Sequence, residues 1–180
     1  MARAAKTTRS RVLLLADTHG VLDARIAALA VECEVVVHAG DVGNAAVLET
    51  LRAGGAHVIA VRGNNDEPSK WPRGDREVLD RLDEIARIDL PGGTLVATHG
   101  DRHAPSTRHA RLRAAFPEAR AVVYGHSHHL VVDDDAVPWI LNPGAAGRAR
   151  TYGGPSCLVL VASPRAWQIE AMRFERVSAR

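Results

Sequence analysis

Short, continuous aliphatic runs, each ending in a polar cluster that contains glycine, are the feature that most limits how this chain can fold. Residues 12–15 and 35–37 consist only of Val and Leu. Such runs, with no polar alternation, predict β-strands that are covered on both faces. Apolar residues at helical spacing follow them over residues 22–30 and 45–52, and a third strand is predicted over residues 57–61. The order βαβαβ implies a parallel sheet with right-handed crossovers.

The last third of the chain has a different pattern, because short strands replace helices there. The middle of the chain predicts a β-hairpin over residues 85–98, a helix over residues 107–116 and a buried strand over residues 121–124. Further strands are predicted over residues 130–133, 137–141, 157–162 and 166–174. We therefore expect an α/β fold in which two facing mixed β-sheets are flanked by helices, a four-layer α/β/β/α sandwich.

The composition fits one compact domain in a reducing environment. Hydrophobic residues make up 46% of the 180 residues but aromatic residues only 4%, so aliphatic side chains must form the core. Cys33 and Cys157 are far apart and predict free thiols instead of a disulfide framework. The net charge of +2 gives no sign of a surface for nucleic acid, so no stable nucleic-acid partner is expected.

The N-terminal region predicts no membrane partner. Its apolar run over residues 12–16 is too short for a signal-peptide core or a membrane span. We expect a flexible arm over residues 1–9, a single domain over residues 10–176 and a cytoplasmic location. The sequence leaves the oligomeric state open, so a homo-oligomer stays an alternative to a monomer.

Seven side chains of the metal-ligand type follow predicted strands in five short clusters. In open α/β sheets, ligands bind beyond the carboxyl ends of the strands, so these side chains are expected to converge. The set contains carboxylate, imidazole and amide but no thiolate, which suits a pair of ions such as Mn, Fe, Zn or Ni better than a structural zinc site. Its members are Asp17 and His19 in DTHG, Asp41 in AGDVGN, Asn64 in RGNND, His99 in THGD, and His126 and His128 in GHSH.

A single residue of this kind would be weak evidence, because a lone histidine is usually structural. Glycine adjoins every one of the five clusters, and glycine permits the sharp turns and close approach that an ion site requires. We interpret the other five histidines as structural residues or assign them no role. They are His38, His57, His103, His109 and His129.

The ordered set DTHG, GD, GNND, THG, GHSH and NPGA resembles the motifs of the calcineurin-like metallophosphoesterases over about residues 12–175. It is most similar to the small, cap-free bacterial and archaeal branch of manganese-dependent phosphodiesterases. The resemblance implies that Asp41 binds two metal ions and that Asp41, Asn64 and His99 are catalytic. It further implies one metal site made of Asp17, His19 and His128 and a second made of Asn64, His99 and His126.

The same resemblance implies hydrolysis of a small phosphodiester by a hydroxide that bridges two divalent ions. Manganese is the first expectation, with Fe, Zn or Ni as alternatives. Two adjacent ions lower the pKa of a shared water from ~15.7 toward ~7. A phosphomonoesterase with the same site, a nuclease and a non-catalytic scaffold stay as alternatives. The retromer coat subunit with this fold has lost the metal ligands, whereas all seven are present here, which argues against a scaffold.

One departure from the family pattern concerns the leaving group. Many relatives have a histidine at the position of Asn65, and that histidine is thought to protonate the leaving group. A carboxamide cannot act as a general acid near neutral pH. We therefore expect either a requirement for good leaving groups or a replacement by His103 or His129.

Substrate contacts are less defined by the sequence. Trp71 lies in a segment rich in Pro, Gly and charge, where it either lines a cleft or covers a small apolar cluster. Asp66 and Asp101 are candidates for orienting the imidazoles through hydrogen bonds. Residues that could reach a phosphate, or simply form a solvated helix face, are Arg102, His103, Arg108 and Arg111.

Overall fold

The computed structural model describes residues 9–176, which form two β-sheets, four α-helices and one short 3-10 turn. The predicted arm over residues 1–9 lies outside this part of the chain, except for Arg9. The strands are Ser10–Leu15 (β1), Val35–His38 (β2), His57–Ala60 (β3), Ile85–Leu90 (β4), Gly93–Thr98 (β5), Ala121–Val123 (β6), Leu130–Asp133 (β7), Trp139–Pro143 (β8), Ser156–Ala162 (β9) and Trp167–Arg173 (β10). The helices are Ala24–Ala30 (α1), Ala45–Ala53 (α2), Arg76–Asp80 (α3) and Arg108–Ala115 (α4), and the 3-10 turn is Arg73–Asp75.

Each sheet has five strands and combines parallel and antiparallel pairs. The first sheet has the order β10-β9-β1-β2-β3, in which β1, β2 and β3 run parallel and β9 pairs antiparallel with both β1 and β10. The second has the order β4-β5-β6-β8-β7, with β5, β6 and β8 parallel and both edge strands antiparallel. The predicted mixed sheets and the parallel βαβαβ start are confirmed.

Alternation along β1 shows how the layers pack. Val12 and Leu14 point into the apolar cluster between the two sheets, where they meet Leu95 from the second sheet. Leu13 and Leu15 point to the opposite face, into the cluster that α1 and α2 cover. A third cluster lies between the second sheet and α4. The layers are therefore helix, sheet, sheet and helix, as the apolar runs predicted.

Polar caps set where the first two helices begin. The Asp23 side chain accepts from the backbone N–H of Arg25, so α1 begins at residue 24, two residues later than the apolar spacing predicts. Asn44 caps α2 in the same way by accepting from the Val47 N–H. The α2 helix ends at Gly54, as the Gly-Gly pair in the sequence predicts.

The segment around Trp71 is folded more tightly than its composition predicts. Trp71 is only 4% exposed and packs in the cluster that contains Leu48 and Leu79, and its Nε1–H donates to Asp66 Oδ1 at 2.9 Å. Helix α3, which the sequence pattern did not predict, begins at Arg76, after the 3-10 turn. Trp71 therefore covers an apolar cluster and does not line a cleft.

The carboxyl ends of the central strands meet at one edge of the sandwich. The loops that follow β1 and β2 are joined by backbone hydrogen bonds, from Asp17 N–H to Gly40 O at 3.0 Å and from His19 N–H to Asp41 O at 2.9 Å. Gly125, after β6, donates to the carbonyl of His99, after β5. These bonds hold the predicted ligand clusters together. Within residues 9–176, no helix is long and apolar enough to cross a membrane.

Candidate metal centre

The seven predicted ligand side chains gather at this edge in two overlapping groups. In the first group, one ligand atom each from Asp17, His19 and His128 lies within 4.8 Å of the others. The Nε2 atoms of the two histidines are 3.2 Å apart, and His128 Nε2 is 3.5 Å from Asp17 Oδ1. Three potential ligand atoms thus point at one another, which is the arrangement that a cation between them requires.

The second group forms around the side-chain oxygen of Asn64. Asn64 Oδ1 lies 3.1 Å from His99 Nε2 and 2.9 Å from His126 Nδ1. The rings of the two histidines meet nearly at right angles, with their centroids 5.3 Å apart. The amide oxygen and the two imidazoles therefore converge from three different strand ends.

Asp41 lies between the two groups. Its Oδ2 atom is 3.4 Å from His99 Nε2 and 3.8 Å from His19 Nε2. Asp17 is close to both groups as well, because its carboxylate lies within 4.8 Å of the ligand atoms of Asp41 and His99. The geometry at Asp41 is thus compatible with a carboxylate shared by two ions, and the proximity of Asp17 to the second group was not predicted.

Backbone carbonyls, and not carboxylates, orient two of the imidazoles. His99 Nδ1 lies 2.9 Å from Ala39 O, and His128 Nδ1 lies 3.2 Å from Ala149 O. Because a carbonyl only accepts, both Nδ1 atoms carry the proton, and the lone pair of each Nε2 faces the centre when the ring is neutral.

The prediction that Asp66 orients an imidazole is wrong. The carboxylate of Asp66 accepts from the backbone N–H groups of Val42, Gly43 and Gly63 and from Trp71. Asp66 therefore fixes the loops that carry Asp41 and Asn64, and it does not orient an imidazole ring. Asp101 is exposed, and within residues 9–176 its side chain makes no hydrogen bond to an imidazole.

Burial shifts the pKa values of the first group so that the neutral form of each side chain is favoured. It raises the pKa of the Asp17 carboxyl to about 7, and Asp17 Oδ2 has no hydrogen-bond partner within residues 9–176. Burial also lowers the pKa of His128 to about 4, with the nearby Arg150 charge acting in the same direction, and lowers the pKa of His19. A buried carboxylate oxygen without a partner, next to two neutral imidazoles, fits a bound cation.

When no cation is present, the proton between Asp41 and His99 belongs to the His99 ring and Asp41 is ionised. Burial opposes a charged His99, yet its hydrogen bond to Asp41 raises the pKa of His99 to about 9. Burial likewise opposes a charged Asp41, but the hydrogen bonds from His99 and Asn65 bring the pKa of Asp41 below its usual range. A divalent ion between these two residues would displace that proton, because metal binding requires the neutral imidazole.

The backbone at the centre is unusual. Five of the seven predicted ligands have left-handed φ angles between 48° and 65°, which non-glycine residues adopt rarely. These residues are Asp17, His19, Asp41, His126 and His128.

Two of the adjoining glycines leave no space for a side chain. A Cβ atom at Gly40 would lie 2.5 Å from His99 Nδ1, and one at Gly63 would lie 2.2 Å from Asp41 N. Glycine at these positions therefore permits the close packing of neighbouring ligand loops.

Arg108, one of the residues that could have reached a phosphate, has a structural role instead. It is buried and donates to the carbonyls of Gly100 and His103 at 2.9 and 3.0 Å, so it holds the loop after β5. Arg102 pairs with Glu84 at the surface, and Arg111 is exposed on α4.

The histidines with an open role are dispersed. His103 lines a cavity beside Asn64 and His99, whereas His129 is exposed and stacks on Tyr152 with ring centroids 4.0 Å apart. The other three are not among the converging side chains. His38 is fully buried and bonds to Thr18, His57 is exposed at the start of β3, and His109 bonds to Asp133 and Tyr124.

Two cationic residues near the centre were missed by the sequence interpretation. Arg150 Nη2 lies 3.4 Å from His19 Nε2, and Lys70 Nζ donates to Asn65 Oδ1 at 2.9 Å. A signal for Arg150 was available, because it follows the NPGA motif by a few residues. Lys70 lies in the segment whose tight folding was not predicted.

Comparisons with known proteins show which sequences and folds this chain is similar to. The sequence profile of the calcineurin-like phosphoesterase superfamily domain matches residues 11–164. A phosphodiesterase of Methanocaldococcus jannaschii is 25% identical over 141 residues, which cover 74% of this chain and 82% of that protein. Vps29 of Entamoeba histolytica, solved as a single mutant, has a TM-score of 0.71 at 19% identity and covers 92% of this chain and 99% of its own. A structure described as a novel archaeal phosphodiesterase has a TM-score of 0.63 at 21% identity, with 90% and 99% covered.

Proposed function

Because the chain belongs to the calcineurin-like phosphoesterase superfamily, we propose that this hydrolase cleaves small phosphodiesters with the help of two divalent metal ions. The observation that carries the proposal is the position of Asp41 Oδ2, within 3.8 Å of both His19 Nε2 and His99 Nε2. One carboxylate thereby connects two groups of ligand-type side chains. Dinuclear sites of this kind serve in-line displacement at phosphorus.

The residues that would hold the ions follow from the two groups. Asp17, His19 and His128 would hold one ion, and Asn64, His99 and His126 the other, with Asp41 shared. The partnerless Oδ2 of Asp17 and the converging Nε2 atoms support this assignment. When bound, adjacent divalent ions supply a nucleophile derived from water at neutral pH and positive charge beside the phosphoryl oxygens.

The protein's own residues hold this arrangement rigid. The carbonyls of Ala39 and Ala149 keep the His99 and His128 rings in one tautomer. Asp66 ties together the loops that carry Asp41 and Asn64 through three backbone N–H groups. Preorganised groups of this kind lose little energy to rearrangement during the reaction, so they favour the transition state.

A diester is favoured by the room beside the second group. A cavity of about 330 Å³ adjoins Asn64 and His99 and includes the apolar side chains of Ile85 and Phe116. It offers space for one organic substituent on the phosphate, and a second cavity of about 700 Å³ on the side of Arg150 and His19 offers space for the other substituent of a diester. The M. jannaschii relative, described as a phosphodiesterase, supports the same choice.

Manganese is the proposed ion, with Fe, Zn and Ni as the other candidates, because the ligands are imidazole, carboxylate and amide. The proposal includes a cytoplasmic location. The two free and buried cysteines, Cys33 and Cys157, favour a reducing compartment.

A scaffold of the same fold is the second candidate, since Vps29 shares the architecture with a TM-score of 0.71. The seven ligand-type side chains that converge on one edge argue for the hydrolase. A scaffold has no use for a buried carboxylate oxygen that lacks a partner, because such an atom costs about 1–3 kcal/mol when nothing compensates it.

The test combines metal analysis with hydrolysis of two esters of one leaving group, bis(p-nitrophenyl) phosphate and p-nitrophenyl phosphate. We expect two tightly bound Mn²⁺ ions per chain and faster cleavage of the diester. Asp41→Asn should reduce kcat by more than about 100-fold, because the groups that merely support a ligand are already worth about 10–100-fold. Asp134→Asn, a change of the same type at an exposed turn residue, should leave kcat unchanged.

Two outcomes would contradict the proposal. Fewer than two ions per chain together with no hydrolysis of either ester would favour the scaffold. Faster cleavage of the monoester by the metal-loaded protein would favour a phosphomonoesterase with the same centre.

A further inference from the structure

A cavity of about 700 Å³ lies between the start of α1 and the loop that connects β8 to β9, and its lining is strongly basic. Among residues 9–176, four arginines but only one carboxylate, that of Asp23, contribute to the lining. The arginines are Arg25, Arg148, Arg150 and Arg176. Such an excess of positive charge in a concave site attracts an anion.

The charges of two of these arginines are not used by the fold. Arg25 is paired with Asp23 at 2.8 Å, and Arg176 donates to the carbonyl of Thr151. Arg148 and Arg150 are exposed, and within residues 9–176 neither forms an ion pair. The guanidinium groups of these two residues are thus available to a ligand.

The same loop connects this cavity to the metal centre. Arg150 lines the cavity and also lies 3.4 Å from His19 Nε2. Its neighbour Ala149 accepts the hydrogen bond from His128 Nδ1 at 3.2 Å. Only the Arg150 side chain would therefore separate a ligand that contacts it in the cavity from the group of Asp17, His19 and His128.

The cavity on the other side of the centre does not have this charge. Beside Asn64 and His99, two arginines are balanced by two carboxylates, and Arg102 is tied to Glu84 at 2.6 Å. The positive excess is therefore confined to one side of the centre. This asymmetry of charge would determine which substituent of a substrate lies on which side of the centre.

We propose that the arginine cavity binds a second phosphate group of the substrate. Guanidinium groups match phosphate oxygens in geometry and charge, and charge-assisted hydrogen bonds of this kind are the stronger ones. The substrate class is then a phosphodiester that carries a further phosphate on one of its two substituents. That substituent lies on the side of His19, and the other substituent lies beside Asn64 and His99. The inference rests on the proposed phosphodiesterase activity.

The test uses two substrates with one leaving group. One is the p-nitrophenyl diester of thymidine 5′-phosphate, and the other is the same diester with an additional 3′-phosphate. We expect the 3′-phosphorylated diester to have a kcat/KM at least about tenfold higher, which corresponds to one charge-assisted contact. Arg148→Ala should bring the ratio of the two kcat/KM values down to about two or less, because the contact to the 3′-phosphate is lost.

Two further variants make the result specific. Arg148→Lys keeps the charge but not the planar fork, so it should keep part of the preference. Arg165→Ala removes an exposed arginine from the turn between β9 and β10, at the opposite end of β1 from the centre. It should leave the kcat/KM of both substrates unchanged. Binding of thymidine 3′,5′-bisphosphate to the metal-loaded protein, measured by calorimetry, should weaken about tenfold in Arg148→Ala and stay constant in Arg165→Ala.

The outcomes separate this inference from the function on which it rests. If neither diester is hydrolysed with any divalent ion, the proposed function fails. If the plain diester is hydrolysed and the 3′-phosphate gives no advantage, or if Arg148→Ala slows both substrates equally, the proposed function stands and the arginine cavity is not a phosphate site. Free inorganic phosphate as the ligand would appear as inhibition by phosphate that Arg148→Ala relieves without any preference between the two diesters, and this too would overturn the proposal.

Discussion

Asn65 donates two hydrogen bonds to the carboxylate of Asp41, one from its backbone N–H and one from its side-chain amide, and both are 2.8 Å long. Lys70 in turn donates to Asn65 Oδ1, so the amide cannot rotate without losing a bond to a cation. The side chain that replaces the family's histidine thus orients the shared carboxylate. It contributes no acidic proton for the leaving group.

Asn65→His should help the hydrolysis of diesters with poor leaving groups most. An imidazole at this position can donate a proton near neutral pH, a contribution of about 10²–10⁴-fold where protonation limits the rate. The measurement is kcat/KM over a series of diesters with leaving groups of increasing pKa, which should fall less steeply in the variant. Asn65→Ala serves as the control that removes the bond to Asp41 without adding an acid. An equal change for good and poor leaving groups would contradict the expectation.

His103→Ala should slow diesters with alkyl leaving groups by about 10–100-fold and aryl diesters far less. His103 is half-buried in the cavity beside Asn64 and His99, where a leaving group has room. His129→Ala is the matched variant, because His129 is exposed and stacked on Tyr152. If His129→Ala produces the selective loss and His103→Ala does not, the acid lies on the other side of the centre.

Gly63→Ala should abolish metal binding at the centre, whereas Gly74→Ala should be silent. A Cβ atom at Gly63 would lie 2.3 Å from Asp41 Oδ1, so the shared carboxylate must move; at Gly74, nothing lies within 4 Å. Neither residue has a left-handed backbone, so the comparison isolates the steric effect. Metal content by mass spectrometry or calorimetry is the measurement. A Gly63→Ala protein that still binds two ions tightly would show that Asp41 is not needed in its present position.

Metal affinity should fall as the pH falls, and the number of protons released on binding should rise. In the metal-free protein burial raises the pKa of Asp17 to about 7, and Asp41 raises the pKa of His99 to about 9 against the opposing effect of burial. A raised pKa means that the proton stays bound up to a higher pH, so at pH 8 mainly His99 must release one, and at pH 6 Asp17 must release one as well. Calorimetry in buffers of different ionisation enthalpy counts these protons. Equal release at pH 6 and pH 8 would rule out Asp17 as a ligand with a raised pKa.

The strands and the ligand-type residues were predictable because their signals are local. Val12 to Leu15 read as a buried strand from four neighbouring residues, and His99 and Gly100 mark a strand end within two residues. The convergence of the side chains then followed from the rule that parallel strands end at one edge. The resemblance to a known family supplied the grouping of the ligands, which local patterns alone do not contain.

The residues whose roles the sequence left open or missed are those that depend on distant contacts. Trp71 is buried because α2 and α3 lie next to it, and its own segment carries no sign of this. Arg108 was expected either to reach a phosphate or to lie on a solvated helix face, but it donates to the carbonyl of Gly100. Arg150 was missed because it approaches His19 across 131 positions of sequence, and only its place a few residues after the NPGA motif hinted at a role.

The left-handed ligands have a consequence for the stability of this fold. Each non-glycine residue in that conformation costs about 1 kcal/mol relative to glycine, and five such residues surround the centre. Glycine at Asp17 or His128 would relieve this strain, but it would also remove a ligand and a hydrogen bond, from the His126 N–H to Asp17 or from His128 to the Ala149 carbonyl. The strained backbone at these positions is thus retained together with the side chains that form the centre.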